Sequence, residues 1–351
     1  MLSPRAQTIL KSIVGQYIAK ATPVPSHSIT RDSELNVSSA TIRNEMVMLE
    51  QDGYITRPHT SAGSIPLDKG YRSYVSTLGE VRFPLDEQRL VNHLFHQVEQ
   101  EISGWLNLAA TLTAQMVQNV AVVTVPSTES CMLKHLELVS LQDNIALVVL
   151  VLEGAKVRQK LINFDQPITQ AELTVLSARL NEKYGGLTRK QIKALKEKLT
   201  DIENLINDCV LKLMETEDNQ EYEGPYLDGL HFTLNQPELA RNHVLSQALA
   251  ELIEQRNLVK NIVPSGLRSR GVEVIIGSEN DADSIKDYSV VISQYGLPED
   301  AEGTVFVIGP TRMPYGRTIA TVGYISDVLS RLVARLYGRR IPDNIKADIV
   351  E

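Results

Sequence analysis

Cysteine is nearly absent: Cys131 and Cys209 are the only two in 351 residues. That is too few for a disulfide framework or a metal cluster, so reduced thiols in the cytosol are the expectation. Long apolar runs are missing too. The longest, Ile145 to Leu152, is far short of the ~20 residues that a membrane span needs. The opening MLSPRAQTIL has no apolar stretch of the kind an export signal carries. A cytoplasmic protein without a membrane partner is expected. There is also no P-loop, no GxGxxG and no metal-ligand spacing, so neither a metal nor a cofactor is expected. Cys131 and His135 are four apart, but Leu133 to Leu141 reads as a strand, so their side chains would align only loosely. No credible catalytic set emerges, and an enzyme is not expected.

A surplus of positive charge is the remaining absence, since the net charge is −8. The deficit is uneven. Residues 1–78 hold 8 Lys/Arg against 6 Asp/Glu, a net of +2, whereas the remainder holds 27 against 37, a net of −10. A non-specific coat on nucleic acid is thereby excluded, but a compact reader with locally placed cations is not. What the chain does have is a 43% hydrophobic and 22% charged composition, which is ample for real cores in two or three domains.

The N-terminal part is the most legible. Ser3-Pro4 is a helix start, and Ile9, Ile13, Val14 and Ile18 keep helical spacing, predicting a helix over 4–20. ATPVPS (21–26) cannot be helical. A short helix over 28–35, a tight turn at Asn36-Val37 and a third helix capped by Ser38 follow, with Val37 and Ile42 as a hydrophobic staple. On that third helix Ile42, Met46 and Leu49 share one face. The opposite arc carries Ala40, Thr41, Arg43, Asn44 and Val47. Arg and Asn are the side chains that pair bidentately with guanine and adenine edges, and a Thr or Val methyl can meet the thymine methyl. Gly53 ends the helix, Tyr54 to Thr56 reads as a strand, and RPHTSAGS (57–64) is a loop. The order predicts a winged helix-turn-helix, its third helix in the major groove and its loop on the backbone. A winged helix that binds protein has the same pattern.

The wording of this region is more specific than its pattern. SSATIRNEMVMLEQDGYITRPHTSAGSIPLDKGYRSYV (38–75) closely resembles the signature region of the HrcA family, the bacterial heat-inducible transcription repressors. A second match is GPTRMPYGRTIATVGYISDVL (309–329), and the order of elements between the two also fits. The resemblance implies a repressor of chaperone operons that binds an inverted-repeat operator in double-stranded DNA as a homodimer and depends on a GroEL-type chaperonin. One residue departs from the family. Where its members usually read Ala-Gly-Arg at the wing tip, this chain has Ala62-Gly63-Ser64, and a weaker, less salt-dependent wing contact is expected.

Beyond residue 80, a long amphipathic stretch from Pro84 to Val117 is expected to bend or divide at Gly104. Strands are expected at 120–125, 133–141, 145–152 and 156–164, the first and third being near-continuous apolar runs of the buried kind. The period turns helical at 168, where Thr169–Glu172 and Thr188–Gln191 both spell capping boxes. The lysines at 190, 193, 196 and 198 alternate with acids and read as a solvated helix face, and ETEDNQEYEG (215–224) as an exposed loop. A helix from Asn235 to about Gln255, strands near 272–276, 289–295 and 304–308, and a last helix over 315–337 complete the chain. Arg312 and Arg317 could hold an anion, but a structural turn with both arginines paired to acids is the better reading.

The fold class expected is α+β and multidomain: a winged helix-turn-helix at 1–80, an α+β domain at 84–167 and 233–345, and an insertion at 168–232. The resemblance names the second GAF-like and the third a dimerising domain. Thr41, Arg43 and Asn44 are the candidates for bases. Ser38, Ser39, Arg57, His59, Thr60, Ser64, Lys69, Tyr71 and Arg72 are the candidates for phosphates. The rival function is a small-ligand-sensing GAF-type regulator whose winged helix binds protein.

Overall fold

The computed structural model describes residues 2–338, apart from 33–37, 60–61, 99–100, 127–129, 196–198, 219–223, 255–261, 263–270 and 299–300. Ser3 caps α1 (Pro4–Lys20), its hydroxyl accepting from the Ala6 amide at 3.1 Å. Next come α2 (Ser26–Asp32) and α3 (Ser39–Gln51). The expected turn at Asn36-Val37 and its staple lie outside the described residues. α3 packs on α1 and α2 and buries Ile42, Met46 and Leu49, the face that helical spacing assigned to the core. β1 (Ile55–Thr56) and β2 (Ile65–Pro66) then pair antiparallel. α4 (Asp68–Ser76) closes this region.

The amphipathic stretch after it is two helices, α5 (Leu85–Gln97) and α6 (Ile102–Val117). The break comes at Val98 and Glu101, which are both extended, whereas Gly104 lies inside α6. Then follow β3 (Val120–Val123), β4 (Leu133–Gln142), β5 (Ile145–Leu152) and β6 (Val157–Asn163). Helices α7 (Gln170–Tyr184) and α8 (Arg189–Ala194) each open on a formed capping box, at Thr169/Glu172 and Thr188/Gln191. α9 (Asp201–Asp218) runs four residues into the acidic segment expected to be loop. Next come β7 (Tyr226–Asp228), short helical turns at Leu230–Leu234 and Pro237–Ala240, and α10 (His243–Glu254), so the helix expected from Asn235 to about Gln255 is broken after Ala240. The last elements are β8 (Val272–Ile276), β9 (Tyr288–Leu297), β10 (Ala301–Pro310) and α11 (Tyr315–Leu336). The chain is α+β, with antiparallel pairing within both larger sheets.

Packing divides it into two units. The first (Met1–Val125, Gly224–Tyr295, Gly303–Leu329) is built on a five-stranded sheet in the order β7-β3-β10-β9-β8. Val120, Val122, Val290, Ile292, Phe306 and Ile308 form its core with Leu249 and Leu252 of α10. Residues 1–80 pack as part of this unit. The second unit (Pro126–Glu223, Gly296–Glu302, Ser330–Glu351) is built on the three-stranded sheet β4-β5-β6. One face of that sheet, with Leu136, Leu138, Ala146, Val148 and Leu150, shares a single core with Leu173 and Leu180 of α7 and Ile206, Val210 and Met214 of α9. The boundary expected at 168 therefore falls inside one core. An amphipathic sheet needs its apolar face covered, and the helices next in sequence cover it. The reading of β5 as a doubly buried strand is also corrected: its residues alternate between buried and half-exposed.

Candidate nucleic-acid interface

The helix α3 begins at Ser38, whose hydroxyl accepts from the Thr41 amide at 3.2 Å and lies 3.0 Å from the Thr41 hydroxyl. Ser38 and Ser39 are exposed at this N-terminus and Thr41 is half-buried beside them. The unpaired amides of a first turn favour anions, so this end suits a phosphate. One turn on, Arg43 and Asn44 are exposed. Among the described residues no hydrogen bond or ion pair engages either side chain. The acids of α3 are turned elsewhere: Glu45 faces Arg5 at 3.7 Å, and Glu50 faces Arg57 at 3.4 Å. Among the described residues, the outward arc thus offers a cation and an amide that no carboxylate pairs with. It continues in two apolar side chains, Val47 at 40% and Met48 at 56% exposure. Met48 escaped the sequence reading, although it stands four residues after Asn44 and hence on the same face.

The loop from 57 to 64 is less uniform than expected. Arg57 is half-buried beside Glu50, and His59 is exposed. Thr60 lies outside the described residues. Ser64 does not sit at a tip: it is 0% exposed. Its amide donates to the Val24 carbonyl at 2.9 Å, and its carbonyl accepts from the Val24 amide at 2.8 Å. Gly63 before it lies so close to the Pro23 and Val24 backbone that a Cβ there would overlap both. The chain is pinned to the α1–α2 connector at this point, and Ser64 cannot reach a phosphate.

Three more candidates lie on α4. Lys69 is exposed, its ammonium donating to the Asp52 carbonyl at 2.8 Å and standing 4.3 Å from the Tyr54 ring centroid. It neutralises the C-terminal end of α3. Tyr71 is 2% exposed and packs on Tyr315 with centroids 5.9 Å apart. Burial, with the neighbouring Tyr315 next, holds the Tyr71 phenol far above its ordinary pKa. Arg72 is committed within the unit, to the Glu279 carboxylate and to the Val274 carbonyl at 2.6 Å. Tyr71 is thus buried away from any phosphate, and Arg72, though partly exposed, is engaged by packing within the unit. The exposed residues that remain include Ser38, Ser39, Arg43, Asn44, Val47 and Met48, with His59 on the loop and Lys69 on α4.

A profile of the HrcA protein C terminal domain matches residues 103–319. The heat-inducible transcription repressor HrcA of Dehalococcoides mccartyi is 53% identical over 339 residues, covering 97% of this chain and 98% of that one. The repressor of the same name from Herpetosiphon aurantiacus is 38% identical over 347 residues, covering 97% of each. The chain belongs to the HrcA family. HrcA membership makes it a transcription repressor and not an enzyme. A crystal structure of a hypothetical protein shares the fold at 25% identity, with a TM-score of 0.64 over 96% of this chain and all of that one. The HrcA profile begins after the N-terminal helices, so the signature at 38–75 is matched through the full-length HrcA relatives. Among the described residues, no group of three His, Cys, Asp or Glu is placed to hold a metal. Among the described residues, no helix is long and apolar enough to cross a membrane.

Proposed function

We propose that residues 1–80 are a winged helix-turn-helix head that docks α3 in the major groove of an operator upstream of heat-shock chaperone genes. The observation that carries this reading is the outward pair Arg43 and Asn44 on a helix whose own carboxylates face away. In that pose Arg43 reads guanine, Asn44 reads adenine, and Val47 and Met48 meet thymine methyls. The α3 N-terminus takes a backbone phosphate, and His59 lies against the flanking backbone.

The operator is an inverted repeat, because the repressor acts as a two-fold dimer. Support for the dimer comes from the second unit, whose sheet shares one core with the helices of 168–232, the stretch that the resemblance names dimerising. On the face of its sheet opposite α7 and α9, Val139 pairs across from Leu147, and Leu147 from Leu161. Val139 and Leu161 are exposed, Leu147 is half-exposed, and Leu141 and Val157 are exposed as well. Contiguous aliphatic faces of this kind on soluble proteins mark association surfaces. The family resemblance adds a GAF-like character for the five-stranded unit, dependence on a GroEL-type chaperonin, and a place in the cytoplasm.

A mobility-shift titration tests the whole reading. A duplex carrying an inverted repeat from a chaperone-operon promoter should be bound by two protomers. The same duplex with both half-sites scrambled should be bound only at the level of non-specific DNA. Equal affinity for the two would contradict the proposal.

A further inference from the structure

The second sequence signature, GPTRMPYG, has no part in the surface just described, yet the structure brings it against the head. Arg312 donates to Glu238 at 2.5 Å and to the Ile18 carbonyl at 2.7 Å, in the last turn of α1. This is a cation set on a helix C-terminus. Tyr315 packs on Tyr71. Its hydroxyl donates to the Thr311 carbonyl at 2.7 Å and lies 2.7 Å from the Ser289 hydroxyl.

The turn after β8 completes the contact. Asp68, at the start of α4, accepts from the Ser278 amide at 2.9 Å and from its hydroxyl at 2.8 Å. Gly277 stands at φ +51 with the Asp68 carboxylate where a Cβ would be, so a side chain there would push the two apart. Arg72 donates to Glu279 at 2.7 Å, and the Glu279 carboxylate is itself fixed by the Ile276 amide at 2.8 Å. All these links land on α1 and α4. None lands on α3.

We propose that this seam is a clamp that fixes the angle of the head, and so selects operators by the spacing between their half-sites. Arg312, Tyr315, Ser278 and Glu279 act as positioning residues for a DNA surface they do not touch. The inference rests on the operator reading above. Its physical basis is the alternative. Without the seam the head would hang on residues 77–84, which include Gly79 at φ +61. Eight extended residues reach about 26–29 Å, nearly one helical turn of DNA at ~34 Å. A tethered head would therefore accept spacers that differ by several base pairs. A head clamped through two of its helices would accept one register.

The test measures affinity for inverted repeats whose central spacer is varied in single base-pair steps, and for a single half-site, with wild type, Glu279→Gln and Arg312→Gln. Thermal melting by circular dichroism checks that each variant is folded. Wild type should prefer one spacing by on the order of tenfold or more over its neighbours. The variants should flatten that profile while binding the single half-site as wild type does. Ser278→Ala, which deletes one hydroxyl, should flatten it less and keeps the test open if a charge variant fails to fold. Unchanged profiles, or variants that bind every spacing more tightly than wild type, overturn the clamp. A wild type that does not distinguish the inverted repeat from scrambled DNA overturns the operator reading as well.

Discussion

Replacing Ser64 by alanine should stabilise the unit that carries the head without touching DNA recognition. The Ser64 side chain is buried at 0% exposure, and among the described residues its Oγ has no hydrogen-bond partner. A buried hydroxyl left unpaired costs roughly 1–3 kcal/mol. Removing it leaves a small void that returns part of this, so a net gain of about 1 kcal/mol is expected. That corresponds to a rise of about 2–4 °C in the midpoint of a unit of roughly 150–250 residues. Trp105 is the single tryptophan and is buried in α6 of the same unit, so its fluorescence reports this transition. Ser64→Arg should do the reverse. A guanidinium does not fit the fully buried position between Val24 and the β2 start, and a buried unpaired cation costs several kcal/mol. If Ser64 were instead a wing-tip contact, Ser64→Arg would fold normally, bind operator more tightly and steepen the salt dependence by ~0.9 in log–log slope. That result would refute the burial argument.

Three further outcomes are expected. Leu161→Glu places a charge at a residue already 57% exposed, so the fold should persist while sedimentation shifts from dimer to monomer; an unchanged dimer would clear this sheet face of the interface. Burial first, then Asp218, pushes the Cys131 thiol up to about 12, and burial also raises Cys209. At pH 8 neither should be alkylated by iodoacetamide until denaturant is added, because the thiolate is the reactive form; rapid native labelling of Cys131 would contradict this. Glu279 is pushed up by partial burial, but hydrogen bonds from Arg72 and the Ile276 amide outweigh this and hold its carboxyl below the usual range. A lowered folded pKa gives stability that is present above the ordinary glutamate value of ~4.3 and is lost as pH falls through the folded value. The Trp105-reported midpoint should thus fall in acid, and fall less in Glu279→Gln; equal slopes would remove Glu279 from the linkage.

Local chemistry made the head legible. Ser3-Pro4, Ser38 and the apolar spacing of Ile42, Met46 and Leu49 each act within one helix, and each is where periodicity placed it. The capping boxes at Thr169 and Thr188 formed for the same reason. Long-range facts were not legible. Ser64, Tyr71 and Arg72 sit among polar, turn-rich residues, and the burial of the first two and the pairing of the third depend on Val24, Tyr315 and Glu279. Two of those partners lie more than 200 residues away, and no local pattern announces them. The boundary expected at 168 failed differently. A change of period marks a change of element, and the strands before it pack on the helices after it. Likewise IALVVLVL reads as a doubly buried strand, yet one of its faces is left half open. Apolar composition alone cannot tell a core from an interface.

The central claim is that the outward arc of α3 reads bases, and Arg43→Ala tests it most directly. Arg43 is exposed on α3, so its loss should leave the melting profile of the free protein unchanged. Affinity for the inverted repeat should fall by ~1–3 kcal/mol per reading contact, about 5- to 150-fold, and discrimination should relax at one base pair in each half-site. Binding of Arg43→Ala to the inverted repeat with wild-type affinity and wild-type base preference would contradict the account.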